Sequence, residues 1–349
     1  MKIEHFGVTK NGREVNLYTM ENSSGMKVKV MNMGATIVSV FVPDDSGELR
    51  DVVLGYDQVS EYENDSNCFG AVIGRNANRI KGTHITIDGF EYNLDDNDNG
   101  NNLHSGFNGF NHAIWSAMYT KENQRKISFC YESREGTQGF PGTVNVCVTY
   151  EITEDNRLII EYEATTNRRT IVNLTNHAYF NLDGHDSGVV DNQKLEISAR
   201  FYTPVEAVGM CPTGEIAPVS GTPMDFGKMK AIGRDINSDF EQLKYAGGYD
   251  HNYVNDNKGE VRLVATAESD ESGITMAVYT DRPGVQLYTG NFIGNVNGKD
   301  EAVYGNRHGF CLETQCFPDA VHHDNFPSSL IEPKHKFTST TEFAFGLKK

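Results

Sequence analysis

Six short segments hold the residues of this sequence that are able to do chemistry. They are 74–80, 101–106, 173–182, 249–253, 286–291 and 310–320. Together they supply Arg, Asn, His, Asp, Gln and Glu side chains, with no nucleophilic serine or cysteine elbow, no metal-ligand spacing and no glycine loop for phosphate. This set suits a neutral, polyhydroxylated ligand whose hydroxyls the polar groups bind while a histidine and a carboxylate transfer protons.

The last segment contains a carboxylate inside a strand pattern. Residues 310–315 alternate, with Cys311, Glu313 and Gln315 on one face of the predicted strand. An unpaired buried charge costs several kcal/mol or shifts its pKa, so Glu313 points either into water or into a site. If it points into a site, Cys311 and Gln315 are expected on the floor of the same cleft.

Taken singly, the other polar residues have ordinary structural explanations. Arg75 and Arg79 are consistent with a solvated pair, and Asp250 with a cap of a short helix. A lone histidine in an apolar run is more often a hydrogen-bonded core residue than a catalyst. The six segments together favour a site over six separate structural roles.

Strands predominate among the elements that must position these segments. Alternating or β-branched runs predict strands at 26–31, 36–42, 85–87, 90–92, 126–131, 143–152, 157–165, 193–199, 261–267, 274–281, 285–290, 310–315 and 337–347. Asp88-Gly89 predicts a type I′ hairpin turn, and 58–63 and 239–244 are the candidate short helices. The predicted fold class is all-β, a large antiparallel sandwich formed by one domain over residues 1–349.

Composition limits the partners. The chain has 349 residues, 38% hydrophobic and 23% charged, and a formal net charge of −17 without a basic stripe, which argues against nucleic acid and anionic membranes. No run of about 20 apolar residues predicts a membrane span, and the N-terminus lacks a signal-peptide pattern. The six cysteines form no CxxC pair, so reduced thiols and a cytoplasmic location are expected.

The segments, in this order, resemble the motifs of the aldose 1-epimerase (galactose mutarotase) family. The matching motifs are Ile73-Gly74-Arg75 with Ala77-Asn78-Arg79-Ile80, Asn102-Leu103-His104, Asn176 to Leu182, Tyr249-Asp250-His251, Gln286 to Asn291, and Gly309 to Gln315 with Pro318-Asp319-Ala320. The resemblance implies the galactose mutarotase type of β-sandwich with an open sugar cleft. It also implies interconversion of the α and β anomers of free aldohexoses such as galactose and glucose, without a cofactor or metal.

The resemblance also assigns roles to single residues. Glu313 matches the general base, His177 the general acid, and His104 a second histidine beside the sugar ring. Ionised Glu313 is expected to raise the pKa of His177 toward the working pH. The residues that match sugar-binding positions are Arg79, Asn78, Asp250 and Gln286.

Two residues depart from the family pattern next to binding positions. Asn76 stands where an apolar residue is common, and Ser105 stands where glycine is common. Both departures leave the expected acid and base intact, and they are candidates for tuning which sugar is preferred. A monomer or a homodimer is compatible with the sequence.

Several other functions remain open on the residues alone. A phosphosugar epimerase on the same fold would require more Lys or Arg in the cleft than Arg75 and Arg79. Asp250 and Glu313 could serve as the paired carboxylates of a glycoside hydrolase if their separation allowed it. A non-catalytic sugar-binding module would show aromatic platforms, whereas the single Trp115 is expected in the core. His322-His323-Asp324 is interpreted as a polar loop rather than a metal site.

Overall fold

The computed structural model describes residues 1–348 and consists mainly of strands. The strands are β1 Lys2–Val8, β2 Glu14–Glu21, β3 Lys27–Met31, β4 Ile37–Pro43, β5 Leu49–Asp51, β6 Val72–Ile73, β7 Arg79–Ile80, β8 His84–Ile87, β9 Phe90–Asn93, β10 Asn102–Leu103, β11 Ser116–Met118, β12 Lys126–Ser133, β13 Val144–Ile152, β14 Arg157–Thr166, β15 Thr170–Ile171, β16 Thr175–Asn176, β17 Lys194–Ile197, β18 Phe201–Thr203, β19 Ala217–Pro218, β20 Lys230–Ala231, β21 Asp250–Val254, β22 Arg262–Glu268, β23 Ile274–Thr280, β24 Gly284–Tyr288, β25 Val296–Asn297, β26 Val303–Tyr304, β27 Cys311–Gln315, β28 Leu330–Ile331 and β29 Phe337–Leu347. The α-helices are α1 Val59–Glu63 and α2 Glu241–Ala246. Within residues 1–348, neither these helices nor the short 3₁₀ turns are long and apolar enough to cross a membrane.

Three sheets carry most of the strands. The N-terminal sheet has the order β1-β2-β3-β4-β5, and the large sheet has the order β11-β12-β13-β14-β29-β23-β22-β17-β20. A third sheet, the core sheet, has the order β19-β18-β21-β24-β27. The long neighbours in the large sheet and in the core sheet are antiparallel, as predicted.

The core sheet packs against the large sheet to form the sandwich. Strands of the large sheet, such as β13, bury alternate residues, whereas all five residues of β27 are buried. Leu312 joins the main hydrophobic core, and Thr314 Oγ1 lies 2.5 Å from Thr341 Oγ1 of β29 in the large sheet. Because side chains alternate along a strand, Glu313 must point to the opposite side of β27.

Most of the predicted elements are present, with ends shifted by a few residues. Asp88 and Gly89 both have positive φ, 54° and 79°, as the type I′ turn between β8 and β9 requires. Both short helices form, and Gln58 is the N-cap of α1. One strand was not predicted: Asp250 begins strand β21 and does not cap a short helix. The segment lacks an apolar strand pattern because the outer face of the core sheet carries polar side chains.

The cysteine prediction needs a correction. Four cysteines are free thiols, but Cys130 and Cys147 are joined by a disulfide. The two residues are direct partners in the β12–β13 ladder, with Cα atoms 4.1 Å apart. A separation of 17 residues along the chain does not reveal this register, so the pairing was missed.

Candidate active site

One cleft of about 290 Å³ opens above the outer face of the core sheet. Its wall contains six of the seven residues that the sequence nominated for the site. The lining residues are Ser66, Asn67, Cys68, Asn78, Arg79, Leu103, His104, His177, Tyr179, Asp250, Tyr288, Phe292 and Glu313. The structure therefore brings six of the nominated residues into one cleft, while no sequence pattern predicted the wall formed by residues 66–68.

Glu313 is the carboxylate at the base of this cleft. It lies in the middle of β27, opposite Gln286 of β24, and is 2% exposed. Its Oε2 atom has no hydrogen-bond partner among the described residues. Burial, together with the negative charge of Asp250, raises the pKa of Glu313 well above its ordinary value, and Arg79 only partly offsets this. The strand holds a carboxyl group that readily accepts a proton.

His177 lies directly beside Glu313. The main chain fixes it, since its N–H donates to Ala71 and its carbonyl accepts from Gly70. The imidazole stacks on Tyr179, with ring centroids 5.0 Å apart, and its Nε2 lies 3.7 Å from Glu313 Oε2. Burial lowers the pKa of His177 to about 4. The expectation that Glu313 raises this pKa was therefore wrong: desolvation sets the shift, and only a hydrogen bond of the ring with the main chain of His177 itself opposes it.

His104 is held by a reciprocal main-chain contact with Asn78. Its N–H donates to the Asn78 carbonyl, and the Asn78 N–H donates to His104 Nδ1, each at 3.1 Å. Both residues have positive φ, 53° for His104 and 62° for Asn78. Burial, then the neighbouring His177 and Arg79, lower the pKa of His104 well below its ordinary value. The neutral ring therefore carries its proton on Nε2 and is a hydrogen-bond donor toward the cleft.

The same contact argues against a metal ion here. Ligand atoms of His104, His177 and Glu313 all lie within 4.8 Å of one another, close enough to suggest a cation site. A metal needs a free nitrogen lone pair, but His104 Nδ1 already accepts from Asn78 and Nε2 bears the proton. The donor set thus suits proton transfer better than metal binding.

A chain of ionic contacts forms the opposite side of the cleft. Arg79 Nε donates to Asp98 Oδ2 at 2.7 Å, and its Nη1 lies 3.6 Å from Asp250 Oδ2. Burial opposes the positive charge, but Asp250 and Asp98 together raise the pKa of Arg79 above its ordinary value. Gln286 Nε2 donates to Asp250 Oδ1 at 2.6 Å. Asp98 was missed by the sequence reasoning because it lies in an acidic turn that is typical of any exposed loop.

Three predicted neighbours of the site lie beneath the cleft rather than in its wall. Gln286 holds Asp250 from below, and Gln315 Nε2 donates to Gln286 Oε1 at 3.1 Å. The sulfur of Cys311 lies 3.6 Å from His177 Nδ1. Cys311 and Gln315 do share the face of Glu313, but neither lines the cleft floor, which corrects that expectation.

The two departures from the family pattern contact each other. Asn76 donates its N–H to Ser105 Oγ at 2.7 Å, and Ser105 Oγ donates to the Asn76 carbonyl at 3.2 Å. Both residues are buried and neither lines the cleft. Their contact joins the segment that precedes Asn78 to the residue that follows His104.

Two other predicted features have no part in the cleft. Arg75 is fully buried and donates to Ser133, Arg134 and Pro141, so it does not form a pair with Arg79. His322 and His323 both face the carboxylate of Asp319.

The fold and the cleft define an all-β protein with an acid–base site, and known proteins of this kind match it. The aldose 1-epimerase family model matches residues 16–344. Galactose mutarotase of Rattus norvegicus is 39% identical over 326 residues, 93% of this chain and 92% of its own length. Aldose 1-epimerase of Escherichia coli is 36% identical over 338 residues, 96% of each chain.

A solved structure agrees with these matches. The crystal structure of an aldose epimerase homologue from C. elegans superimposes with a TM-score of 0.87 at 30% identity, covering 96% of this chain and 100% of its own. The chain belongs to the aldose 1-epimerase family, and it is an isomerase.

Proposed function

We propose that this chain interconverts the α and β anomers of free galactose and glucose by acid–base ring opening, with Glu313 and His177 as the reacting pair. The observation that carries the proposal is their placement. Glu313 Oε2 and His177 Nε2 lie 3.7 Å apart in one cleft, with His104 beside His177 and the Arg79–Asp250 contact in the same wall.

The reaction needs two proton transfers. Glu313 takes the proton of the anomeric hydroxyl while His177 Nε2 gives a proton to the ring oxygen, which opens the hemiacetal to an aldehyde. Rotation about C1–C2 presents the other carbonyl face, and the reverse transfers close the ring. Each positioned acid or base contributes about 10²–10⁴-fold in rate. His104, with its proton on Nε2, donates a hydrogen bond to the ring as it reacts.

The electrostatics of the cleft fit this sequence of events. Burial disfavours charge on both Glu313 and His177, so the empty cleft favours the neutral pair. Moving one proton from Glu313 to His177 gives the reacting ion pair without any exchange with solvent. Ring opening then returns both groups to the neutral state that the cleft favours. The open aldehyde is thereby favoured over the state in which the closed sugar faces the ion pair.

The rest of the wall holds the sugar while C1 turns. Asp250 and Arg79 form charge-assisted hydrogen bonds with ring hydroxyls, Asn78 adds an amide, and Gln286 keeps Asp250 in place. Within the described residues, Arg79 is the one Lys or Arg that lines the cleft, and it is flanked by two carboxylates. This arrangement supports a neutral sugar rather than a phosphosugar.

Replacing Glu313 by Gln tests the proposal. Polarimetry on fresh α-D-galactose and α-D-glucose is expected to show a fall in kcat of about 10²–10⁴-fold, because Gln keeps the shape but cannot accept the proton. Calorimetric titration with galactose is expected to show binding largely retained. Glucose 6-phosphate, xylose and arabinose assayed beside them define the range of substrates.

The matched control is Glu215→Gln, the same change on an exposed residue outside the cleft. It is expected to leave the mutarotation rate unchanged. A Glu313→Gln protein with nearly the wild-type rate would contradict the assignment of the base, and faster turnover of glucose 6-phosphate than of glucose would contradict the neutral substrate.

A further inference from the structure

Cys311 touches the ring of His177 on the side away from Glu313. Its sulfur lies 3.6 Å from His177 Nδ1, while Glu313 Oε2 lies 3.7 Å from Nε2. The two ring nitrogens therefore face different groups, a thiol on one side and the reacting carboxylate on the other. Cys311 is fully buried, and in the described part of the chain Nδ1 of His177 has no other side-chain hydrogen-bond partner.

One strand fixes both of these neighbours. Cys311 and Glu313 lie two residues apart on the same face of β27, opposite Tyr288 and Gln286 of β24. The imidazole between them cannot easily turn over, because Tyr179 stacks on its face and Tyr288 packs against it edge-on. The geometry thus determines which nitrogen meets the sugar.

The chemistry of sulfur suits this place. A thiol is a weak hydrogen-bond acceptor with no charge, whereas a carboxylate in this position stabilises an imidazolium. Burial, with the nearby Glu313, Asp250 and Cys68, raises the pKa of the Cys311 thiol well above its ordinary value, so it stays neutral. Such a neighbour can hold a proton on Nδ1 without making the ring more basic.

We propose that Cys311 is a positioning residue whose sulfur accepts the Nδ1–H of His177, leaving Nε2 as the nitrogen that exchanges a proton with Glu313 and the sugar ring oxygen. The proposal rests on the proposed function for the role of His177 as the acid. In the neutral pair the Glu313 carboxyl proton faces a bare Nε2. One proton then moves to Nε2, passes to the ring oxygen, and returns on closure, while Nδ1 keeps its proton throughout.

Nitrogen-15 NMR of histidine-labelled wild-type protein tests the proposal without any substrate. At neutral pH, His177 is expected to show a protonated Nδ1 and a bare Nε2, assigned by comparison with the His177→Gln protein. The opposite tautomer, with the proton on Nε2, overturns the proposal. This result does not depend on mutarotase activity, so failure of the proposed function and failure of this inference are distinguishable.

Substitution of Cys311 gives a second test. Cys311→Ala is expected to mix the two tautomers and to lower kcat by about tenfold with little change in KM, as expected when a partner that orients an imidazole is lost. Cys311→Ser restores an acceptor and is expected to regain most of kcat and the single tautomer. Cys311→Ala with the wild-type tautomer and pH profile of kcat contradicts the proposal.

Cys316→Ala is the matched control. Cys316 is another buried thiol close by in the chain, and its Sγ donates to the Pro327 carbonyl at 3.0 Å rather than to His177. It is expected to keep the His177 tautomer and the pH profile of kcat, even if it lowers stability. A loss of the His177 tautomer in Cys316→Ala as large as in Cys311→Ala would mean that the effect is one of general packing.

Discussion

Two buried acid–base pairs in this molecule are built in opposite ways. In the pair Asp51–Lys299, the ammonium lies 2.6 Å from the Asp51 carboxylate and also donates to the Val38 and Val53 carbonyls. In the pair Glu313–His177, the closest atoms are 3.7 Å apart and Glu313 Oε2 has no partner among the residues described. The first pair is saturated with hydrogen bonds, while the second is not.

This difference distinguishes a pair that stabilises the fold from a pair that keeps an atom free for a reaction. Every donor proton of Lys299 has an acceptor, and Asp51 Oδ1 also accepts the Val40 N–H at 3.0 Å. An ammonium whose protons all have acceptors has no free proton to donate to a ligand. The pair instead fixes the N-terminal sheet to the turn at 299–301. Oε2 of Glu313 has no such partner, which destabilises the empty protein. In the proposed mechanism this oxygen is free to take a proton from a sugar once the carboxyl proton has moved to His177.

The largest expected effect comes from breaking the saturated pair. Lys299→Met leaves the Asp51 carboxylate buried without its cation, which is expected to lower the free energy of unfolding by about 3–5 kcal/mol. Urea unfolding at neutral pH measures the change. The mutarotation rate, measured well below the unfolding transition, is expected to stay near that of the wild type because the pair lies outside the cleft.

Lys126→Met is the control for this prediction. Lys126 has the same side chain as Lys299 but is half-exposed, and it contacts Glu151 and Glu161 on the surface of the large sheet. Its loss is expected to cost at most about 1 kcal/mol. If Lys299→Met costs no more than Lys126→Met, the distinction between a saturated structural pair and a reactive one is lost.

A smaller effect of opposite sign is expected at the reactive pair. Burial raises the pKa of Glu313 above the value of 4.5 that it has in the unfolded chain. The contribution of Glu313 to the free energy of unfolding is therefore present at low pH and is lost as the pH rises above 4.5. Above this pH the side chain ionises freely only in the unfolded chain. Glu313→Gln removes this loss and is expected to stabilise the protein by about 1–3 kcal/mol at neutral pH.

Thermal unfolding of wild type and Glu313→Gln between pH 5.5 and 8.5 checks the sign. The difference in Tm is expected to favour the mutant and to grow with pH across this range. The opposite penalty of His177, whose low pKa costs stability below pH 6.5, is present in both proteins and affects the difference less. A mutant less stable than the wild type at pH 8.5 would show that Glu313 is structural.

The fold was largely predictable because its signals are local. Alternation along β13, β14 and β29 reports burial of one face, and Asp88-Gly89 encodes its own turn. The contacts that assemble the sheets are not local. Lys299 and Asp51 are 248 residues apart, and no periodicity in either segment indicates that they meet.

The site was predictable to the extent that its residues lie in recognisable motifs. Glu313 followed from a carboxylate in an apolar strand, and the resemblance supplied His177, His104, Asp250 and Arg79. The sequence could not show how they are held: Asp98 binds Arg79 although it lies 19 residues further along the chain, beyond the hairpin of β8 and β9. Nor could it show that burial lowers the pKa of His177, since that depends on how tightly the cleft excludes water.

The smallest of these effects concerns Asp98. Its substitution tests whether the negative charge of Asp98 holds the Arg79 guanidinium in place in the cleft. Asp98→Asn keeps an acceptor near Arg79 Nε but removes the negative charge, so Arg79 is held less firmly beside Asp250. The expected result in polarimetry is a rise in KM for galactose of about tenfold, equivalent to about 1.4 kcal/mol, with kcat little changed.

Asp96→Asn provides the comparison in the same loop. Asp96 is exposed and accepts the Gly100 N–H at 2.9 Å, a role that an Asn oxygen can take over, and it does not contact Arg79. Its KM is expected to match that of the wild type. Equal changes in KM for the two variants would mean that loop order, not the charge on Asp98, positions Arg79. A fall in kcat with unchanged KM in Asp98→Asn would instead place Asp98 in the proton-transfer step, because only a group that acts in the transition state has that signature.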